Sequence, residues 1–295
     1  MSRFQIVGPG RLGGAIAIGL DAAGMLIDSI VFRTALKAER IATALSNTPV
    51  LIQFGDRNRR DIDVVLLTCA DTDIDTAAAG LSQDMIAGTV VLHTSGSLSS
   101  DILGGLRSSG CSVGSMHPLV SISDASVGSE AFAGGYFCIE GDEQAVLKAR
   151  EISNTLGAIP FSIETRFKPL YHAAAVTSSG HFVALIDTAM EMMSACGLTA
   201  DRSMEILMPL IDSTLANLKR QTPQDALTGT YARGDIAGIE RHLDALAENV
   251  SENALDIYLE LAERSISLAE NRGLSPEIAE QMRALIKIAK KNTEC

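Results

Sequence analysis

The stretch FQIVGPGRLGG, residues 4 to 14, limits the folds open to this chain more than any other segment. A short apolar run leads into three glycines spaced as Gly8-x-Gly10-x-x-Gly13, and the residues after them, LGGAIAIGLDAAG (12 to 24), have helical character and stop at Gly24. Glycines at this spacing identify a dinucleotide fingerprint only where a strand precedes them and a helix comes after, as here. Gly8 then makes the tight turn, Gly10 lets backbone approach a pyrophosphate, and Gly13 lets helix and strand pack closely. The anion would sit on the helix N-terminus, where free N–H groups and the helix dipole favour negative charge. The plainer reading of the same glycines is a turn that binds nothing.

Beyond Gly24 the chain keeps a βα rhythm. Strand-like runs IDSIVF (27 to 32), PVLIQF (49 to 54), DVVLLTC (63 to 69), GTVVLHTSG (88 to 96), CSVGSMHPL (111 to 119), GYFCIEG (135 to 141) and IPFSI (159 to 163) alternate with helical LKAERIATALS, ADTDIDTAAAGL and DEQAVLKAREISNTLG. Near-continuous apolar strands separated by helices predict an α/β domain with a doubly wound, mostly parallel sheet. From about residue 165 the texture changes. KPLYHAAAVTSSGHFVALIDTAMEMMSACG (168 to 197) reads as one long helix, and further helical segments come after it without a convincing strand. The expected division is a Rossmann-type domain over 1–164 and an all-helical domain over 165–295. The Ala-, Leu- and Met-rich helices of the second domain predict burial against a second copy, hence a homodimer.

The second strand bears on the nucleotide. An acidic residue about 20 positions past the fingerprint bonds a ribose 2′-hydroxyl, whereas an arginine there accommodates a 2′-phosphate. Arg33-Thr34 stands at that distance and no acid does, which favours NADP over NAD. A surface arginine is the alternative, and Lys37, which could assist the same phosphate, reads first as a solvated helix-face lysine. The loop TCADTD (68 to 73), with Cys69, Ala70 and Asp71, would line the ribose and nicotinamide side, although Asp71 equally suits a helix N-cap. With Pro9, Arg11, Leu12 and His93 these complete the candidate cofactor set.

Composition narrows the partners. With 36 acidic and 24 basic residues the formal charge is -12, which repels nucleic acid and anionic membrane surfaces. No apolar run reaches the roughly 20 residues of a membrane helix, and the first residues read as a strand, without the basic and apolar regions expected of a signal peptide. Five scattered cysteines (69, 111, 138, 196, 295) lack a C-x-x-C pair, so no metal site is expected and a reducing, cytoplasmic setting fits. A small-molecule substrate is the expected partner.

Nicotinamide chemistry then needs a group to polarise the substrate and a proton donor. His93 and His117 come at the ends of strands, where open α/β sheets place ligands. Ser95 lies beside the first of them. Lys168 and His172, four apart, project from one helical face, and Ser179 falls near the same stripe. Asn217 is a weaker candidate. A histidine satisfied by backbone and a solvent-exposed lysine are the bland readings.

At these residues the chain resembles a known group. GPGRLGGAIA, HTSGS, SMHPL, KPLYHAAAVTSS and ALTGTYARGD together look like the family that joins a Rossmann-like domain to a C-terminal helical domain long catalogued as of unknown function. In plan it is similar to the 6-phosphogluconate dehydrogenase-like superfamily, which includes β-hydroxyacid dehydrogenases, pyrroline-carboxylate reductase and deazaflavin-dependent NADP oxidoreductases. The resemblance implies an NADP(H)-dependent oxidoreductase acting on a small, carboxylated 2-oxo or hydroxy compound, with a ketopantoate-type reductase as its most concrete form. It also implies that Lys168, matching the lysine that opens the long helix in hydroxyacid dehydrogenases, is the acid/base, with His172 in place of an asparagine. Ser179-Gly180 replaces a usual Ser-Asn pair, and Leu227-Thr228-Gly229-Thr230 replaces Leu-Thr-Gly-Pro. The alternatives are a pyrroline-carboxylate-type imine reductase and an NADP-binding module without turnover.

Overall fold

The computed structural model describes residues 2–56, 60–81 and 86–293. Its sheet contains β1 (Arg3–Val7), β2 (Leu26–Phe32), β3 (Val50–Gln53), β4 (Val64–Leu67), β5 (Val90–His93), β6 (Ser112–Leu119), β7 (Tyr136–Gly141) and β8 (Ile159–Phe161). Their order is β3-β2-β1-β4-β5-β6-β7-β8. The first six run parallel; β7 pairs antiparallel with β6, and β8 runs parallel to β7. The order reverses between β1 and β4, which is where an open sheet leaves a crevice outside its strand ends.

Side-chain alternation explains why the central strands are apolar throughout. In β4, Val64 and Leu66 enter one core, while Val65 and Leu67 enter the other. A strand with period 2 and helices on both faces has no solvent side. On the first face lie α1 (Arg11–Ala22), α2 (Ala35–Ala44) and α5 (Glu143–Thr155). The second face is covered by α3 (Ile74–Leu81), through Ile74, Ala77 and Ala78, and by the short α4 (Gly104–Arg107).

The predicted strands all form, at nearly the expected positions. The long helix differs. α6 (Lys168–Ser178) ends at Ser179, whose backbone leaves helical space (φ -125°, ψ -78°), and α7 (Gly180–Ala195) starts anew. Composition accounts for the break: the hydroxyls of Thr177 and Ser178 bond back to the carbonyls of Ala173 and Ala174, and a glycine comes next but one. The compact units accordingly divide between Ser179 and Gly180, one helix beyond the expected boundary at 164.

Residues 180–295 form the second unit. It contains α7, α8 (Ala200–Leu218), α9 (Pro223–Ala226), α10 (Gly229–Arg233), α11 (Ile236–Asn249), α12 (Glu252–Asn271) and α13 (Pro276–Thr293). Its core joins Ile239, Leu243, Leu259, Ile266, Met282 and Ile286 from the last three helices. No helix among the described residues is long and apolar enough to cross a membrane. Cysteines 69, 111, 138 and 196 are free thiols, and Cys295 lies outside the described residues.

Candidate active site

The glycine turn is built as its spacing requires. Gly8 has φ +95° and donates to the Val31 carbonyl at 3.0 Å. A Cβ on Gly13 would collide with the Gly8 carbonyl and the Thr68 hydroxyl, so only glycine lets α1 approach β1 and β4 this closely. A Cβ on Gly10 would meet nothing within 4 Å, because that residue faces open space at the start of α1. No side chain caps this helix, and its first turn carries no acid. The first turn therefore offers unopposed backbone N–H donors and a positive dipole end to an anion. These residues fit a dinucleotide's pyrophosphate.

Two cavities flank that turn. One, of about 240 Å³, is lined by Gly8, Pro9, Gly10, Arg33, Thr34, Lys37, Phe54, Cys69, Ala70 and Asp73 among others. Arg33 stands over the Phe54 ring, 5.1 Å from its centroid, and its Nη1 donates to Asp73 at 2.8 Å. The other, of about 530 Å³, shares Gly10, Cys69 and Ala70. Arg11, Leu12, Asp71, Ser95, His117 and His172 also line it.

The second cavity holds most of the candidate catalytic groups. His117, on β6, brings Nδ1 to 2.8 Å from the Tyr171 hydroxyl, and its ring packs edge-on against His172 at 5.6 Å. Burial pushes the His117 pKa down to about 4, with His172 and Lys168 adding to the shift, so the ring is neutral at physiological pH. Burial raises the Tyr171 hydroxyl well above its ordinary value, which keeps it protonated. Gly96 makes the histidine pair possible: a Cβ there would lie 2.5 Å from His172 Nδ1 and 2.8 Å from His117 Nε2. Ser95 Oγ donates to Asp71 at 2.7 Å and accepts the N–H groups of Ser97 and Leu98, which fixes the loop beneath the histidines.

Four expected residues line neither cavity. Lys168 is fully buried, but its amine pairs with Glu140 at 3.1 Å and bonds Ser115 Oγ, and it does not line the cavity. Burial lowers its pKa, and the Glu140 carboxylate opposes that shift. Glu140 also accepts from Ser100 N and Oγ, at 2.9 and 2.8 Å, while Ser115 Oγ donates to the Ser95 carbonyl. Lys168 thus ties the start of α6 to β6, β7 and the loop carrying Ser95, and a free amine facing a ligand is not what this geometry provides. His93 is likewise wholly buried and absent from both linings. Its Nδ1 accepts from Ser95 N at 3.2 Å, and burial lowers its pKa to about 4, as for a core histidine. Ser179 is exposed at the end of α6 and lines neither cavity. Asn217 belongs to α8, in the second unit.

Tyr171, Gly96, Glu140 and Phe54 were absent from the expected site, and Asp73 entered it only as the last residue of the loop 68–73. Tyr171 had a signal, standing three residues after Lys168 and beside His172. Glu140 had none, since only the pairing of β6 with β7 brings it under Ser115.

Comparison with known proteins agrees with this architecture. Residues 2–118 match a Rossmann-like domain, and residues 135–265 match a domain of unknown function, DUF2520. The chain therefore joins a Rossmann-like N-terminal domain to a helical DUF2520 region. Among solved structures it is similar to a Bacteroides fragilis protein assigned as an NADP oxidoreductase, at 22% identity and TM-score 0.73, covering 90% of this chain and 97% of that one. It is also similar to protein TM1727 of Thermotoga maritima, at 24% and 0.71, covering 91% and 99%. An Aspergillus terreus reductive aminase bound to NADPH shares the fold at 14% identity and 0.59, covering 99% and 94%. No curated protein matches the sequence.

Proposed function

We propose that this chain is an NADP(H)-dependent reductase of a small C=N compound. The observation that carries the reading is His117, which lines the cavity that also takes in Gly10 of the glycine turn and which is hydrogen-bonded to Tyr171. With the imidazole neutral and the tyrosine protonated, the tautomer that serves a substrate is the one in which Tyr171 donates to Nδ1 and the remaining ring proton sits on Nε2. That N–H is the donor to the substrate heteroatom.

The glycine turn and the first turn of α1 would hold the pyrophosphate, and Arg33, Thr34 and Lys37 a ribose 2′-phosphate. A bound nicotinamide would supply the hydride. The substrate nitrogen arrives protonated, as the iminium, and the chain supplies orientation: Ser95 and Asp71 set the floor, the neutral His117 offers its N–H as a hydrogen bond to the nitrogen as that atom gains its lone pair, and His172 packs against it.

Charge selects the substrate. The lining joins two imidazoles and the Asp71 carboxylate, with Arg11 its one arginine, on the first turn of α1. An iminium carbon suits these surroundings better than a 2-oxo acid, and the lysine on which the ketopantoate reading rested is bound to Glu140. Neighbours of the same fold include an imine reductase from Pseudomonas sp. and a Plasmodium falciparum pyrroline carboxylate reductase bound to NADP, which supports the same chemistry.

The test is NADPH consumption with 1-pyrroline beside a panel of 2-oxo acids that includes ketopantoate, for the wild type and His117→Asn. The reading expects turnover of the imine and at least a hundredfold loss in the variant with NADPH binding intact. NADPH binding without consumption of any substrate would leave a cofactor-binding module. A homodimer is part of the same proposal, because α7 and α8 expose Val183, Ile206, Met208, Leu210 and Leu218. Light scattering at the mass of one 31.1 kDa chain would end it.

A further inference from the structure

We propose that Asp73 sets the nucleotide preference of the smaller cavity, weakening its discrimination in favour of a phosphorylated ribose. The inference rests on reading that cavity as the adenosine end of a dinucleotide site.

Arg33 is already engaged on two sides. Its guanidinium lies over Phe54, and its Nη1 donates to Asp73 Oδ2 at 2.8 Å. Both supports are fixed by backbone: Phe54 N donates to the Phe32 carbonyl at 2.7 Å, and Asp73 N to that of Ala70 at 2.8 Å. Asp73 therefore sits across the cavity from the end of β2, on the turn after β4. The carboxylate faces the cavity rather than the loop beneath the histidines, where Asp71 takes the serine hydroxyls instead.

Among the described residues that line the cavity the cations are Arg33 and Lys37, and the one anion is Asp73. An incoming 2′-phosphate, close to a dianion, must share Arg33 with that carboxylate and sit near a like charge. An unphosphorylated ribose meets no such repulsion, and its hydroxyls can donate to the carboxylate. The sequence alone argues for NADP from Arg33; the structure adds an acid contributed from another strand end.

Arg33 and Asp73 are 56% and 32% exposed, so their pair contributes little to folding and a substitution leaves the protein intact. Isothermal titration of the full chain with 2′,5′-ADP and with 5′-AMP, two probes that differ by the 2′-phosphate, reads the effect directly. The wild type should bind them within about fivefold of each other. Asp73→Asn should tighten 2′,5′-ADP about fivefold to tenfold at low salt, less at high salt, while 5′-AMP changes by less than about twofold. Adding Arg33→Gln should remove the gain.

An unchanged ratio in Asp73→Asn overturns the proposal, as does weaker binding of 2′,5′-ADP, which would show that Asp73 only braces Arg33. Either result leaves the cofactor reading standing. A wild type that binds neither probe overturns that reading together with this one.

Discussion

The two cavities beside the glycine turn share Gly10, Cys69 and Ala70, yet they handle charge in opposite ways. Around Arg33 the groups are charged, paired with one another and largely open to solvent. Around His117 the imidazole is held neutral by burial, and a buried ion pair, Lys168 with Glu140, lies behind the wall. An open charged surface can meet different polyanions at small cost, because solvent screens its errors. Around His117 the buried groups have a single arrangement of donors and acceptors, and an error there is expensive.

The sharpest way to break that contrast is to unpair the charge behind the wall. Glu140→Gln leaves Lys168 buried without its carboxylate and should lower the stability to urea by about 3 kcal/mol. A double change to Glu140→Leu and Lys168→Met should recover much of the loss. If the single variant is as stable as the wild type, the pair is not holding the site.

Gly96→Ala should come next, with about a hundredfold loss of turnover as the two imidazoles are forced apart. Nucleotide binding measured with 5′-AMP should stay within about twofold. Loss of both would mean that the two cavities do not act separately.

Acid separates the regions by stability. His93 and His117 titrate in the fold at about 4, against 6.5 for an ordinary histidine, so the unfolded chain takes up protons that the fold refuses. Their contribution is complete above pH 6.5 and is lost as the pH falls towards about 4. It should amount to a few kcal/mol, visible as a falling urea midpoint, and His117→Asn should flatten part of the slope. The smallest effect is expected at the open end. Arg33→Gln should weaken 2′,5′-ADP by about fivefold and leave the thermal midpoint nearly unchanged, because an exposed pair adds little to folding.

Legibility in the sequence tracks the range of the interactions. Gly8, Gly10 and Gly13 act within one turn, and Arg33 at a fixed distance from it, so spacing located all four. The strands were legible because each is apolar on both faces over its own few residues. Lys168 was singled out as the acid/base; the structure shows it buried, with its partner 28 positions earlier on β7, and the β6–β7 pairing that sets Glu140 beside Ser115 has no local signature. Spacing around the lysine therefore gave no hint of Glu140. The continuous helix over 168–197 was a similar case: the apolar period crosses Ser178-Ser179-Gly180, and the hydroxyls that end α6 act against that period.

Gly96 also bears on how such a site can diversify. With imidazoles on the side a Cβ would occupy, position 96 admits no side chain, so a change of substrate cannot be reached by mutating the floor between the histidines. Val120 and Ile122, in the loop after β6, line the same cavity without taking part in its hydrogen bonds. Both also pack against the core of the first face, so only modest changes of size fit there while His117 stays put, and a library of apolar residues at these two positions explores shape without touching the hydrogen-bonded groups.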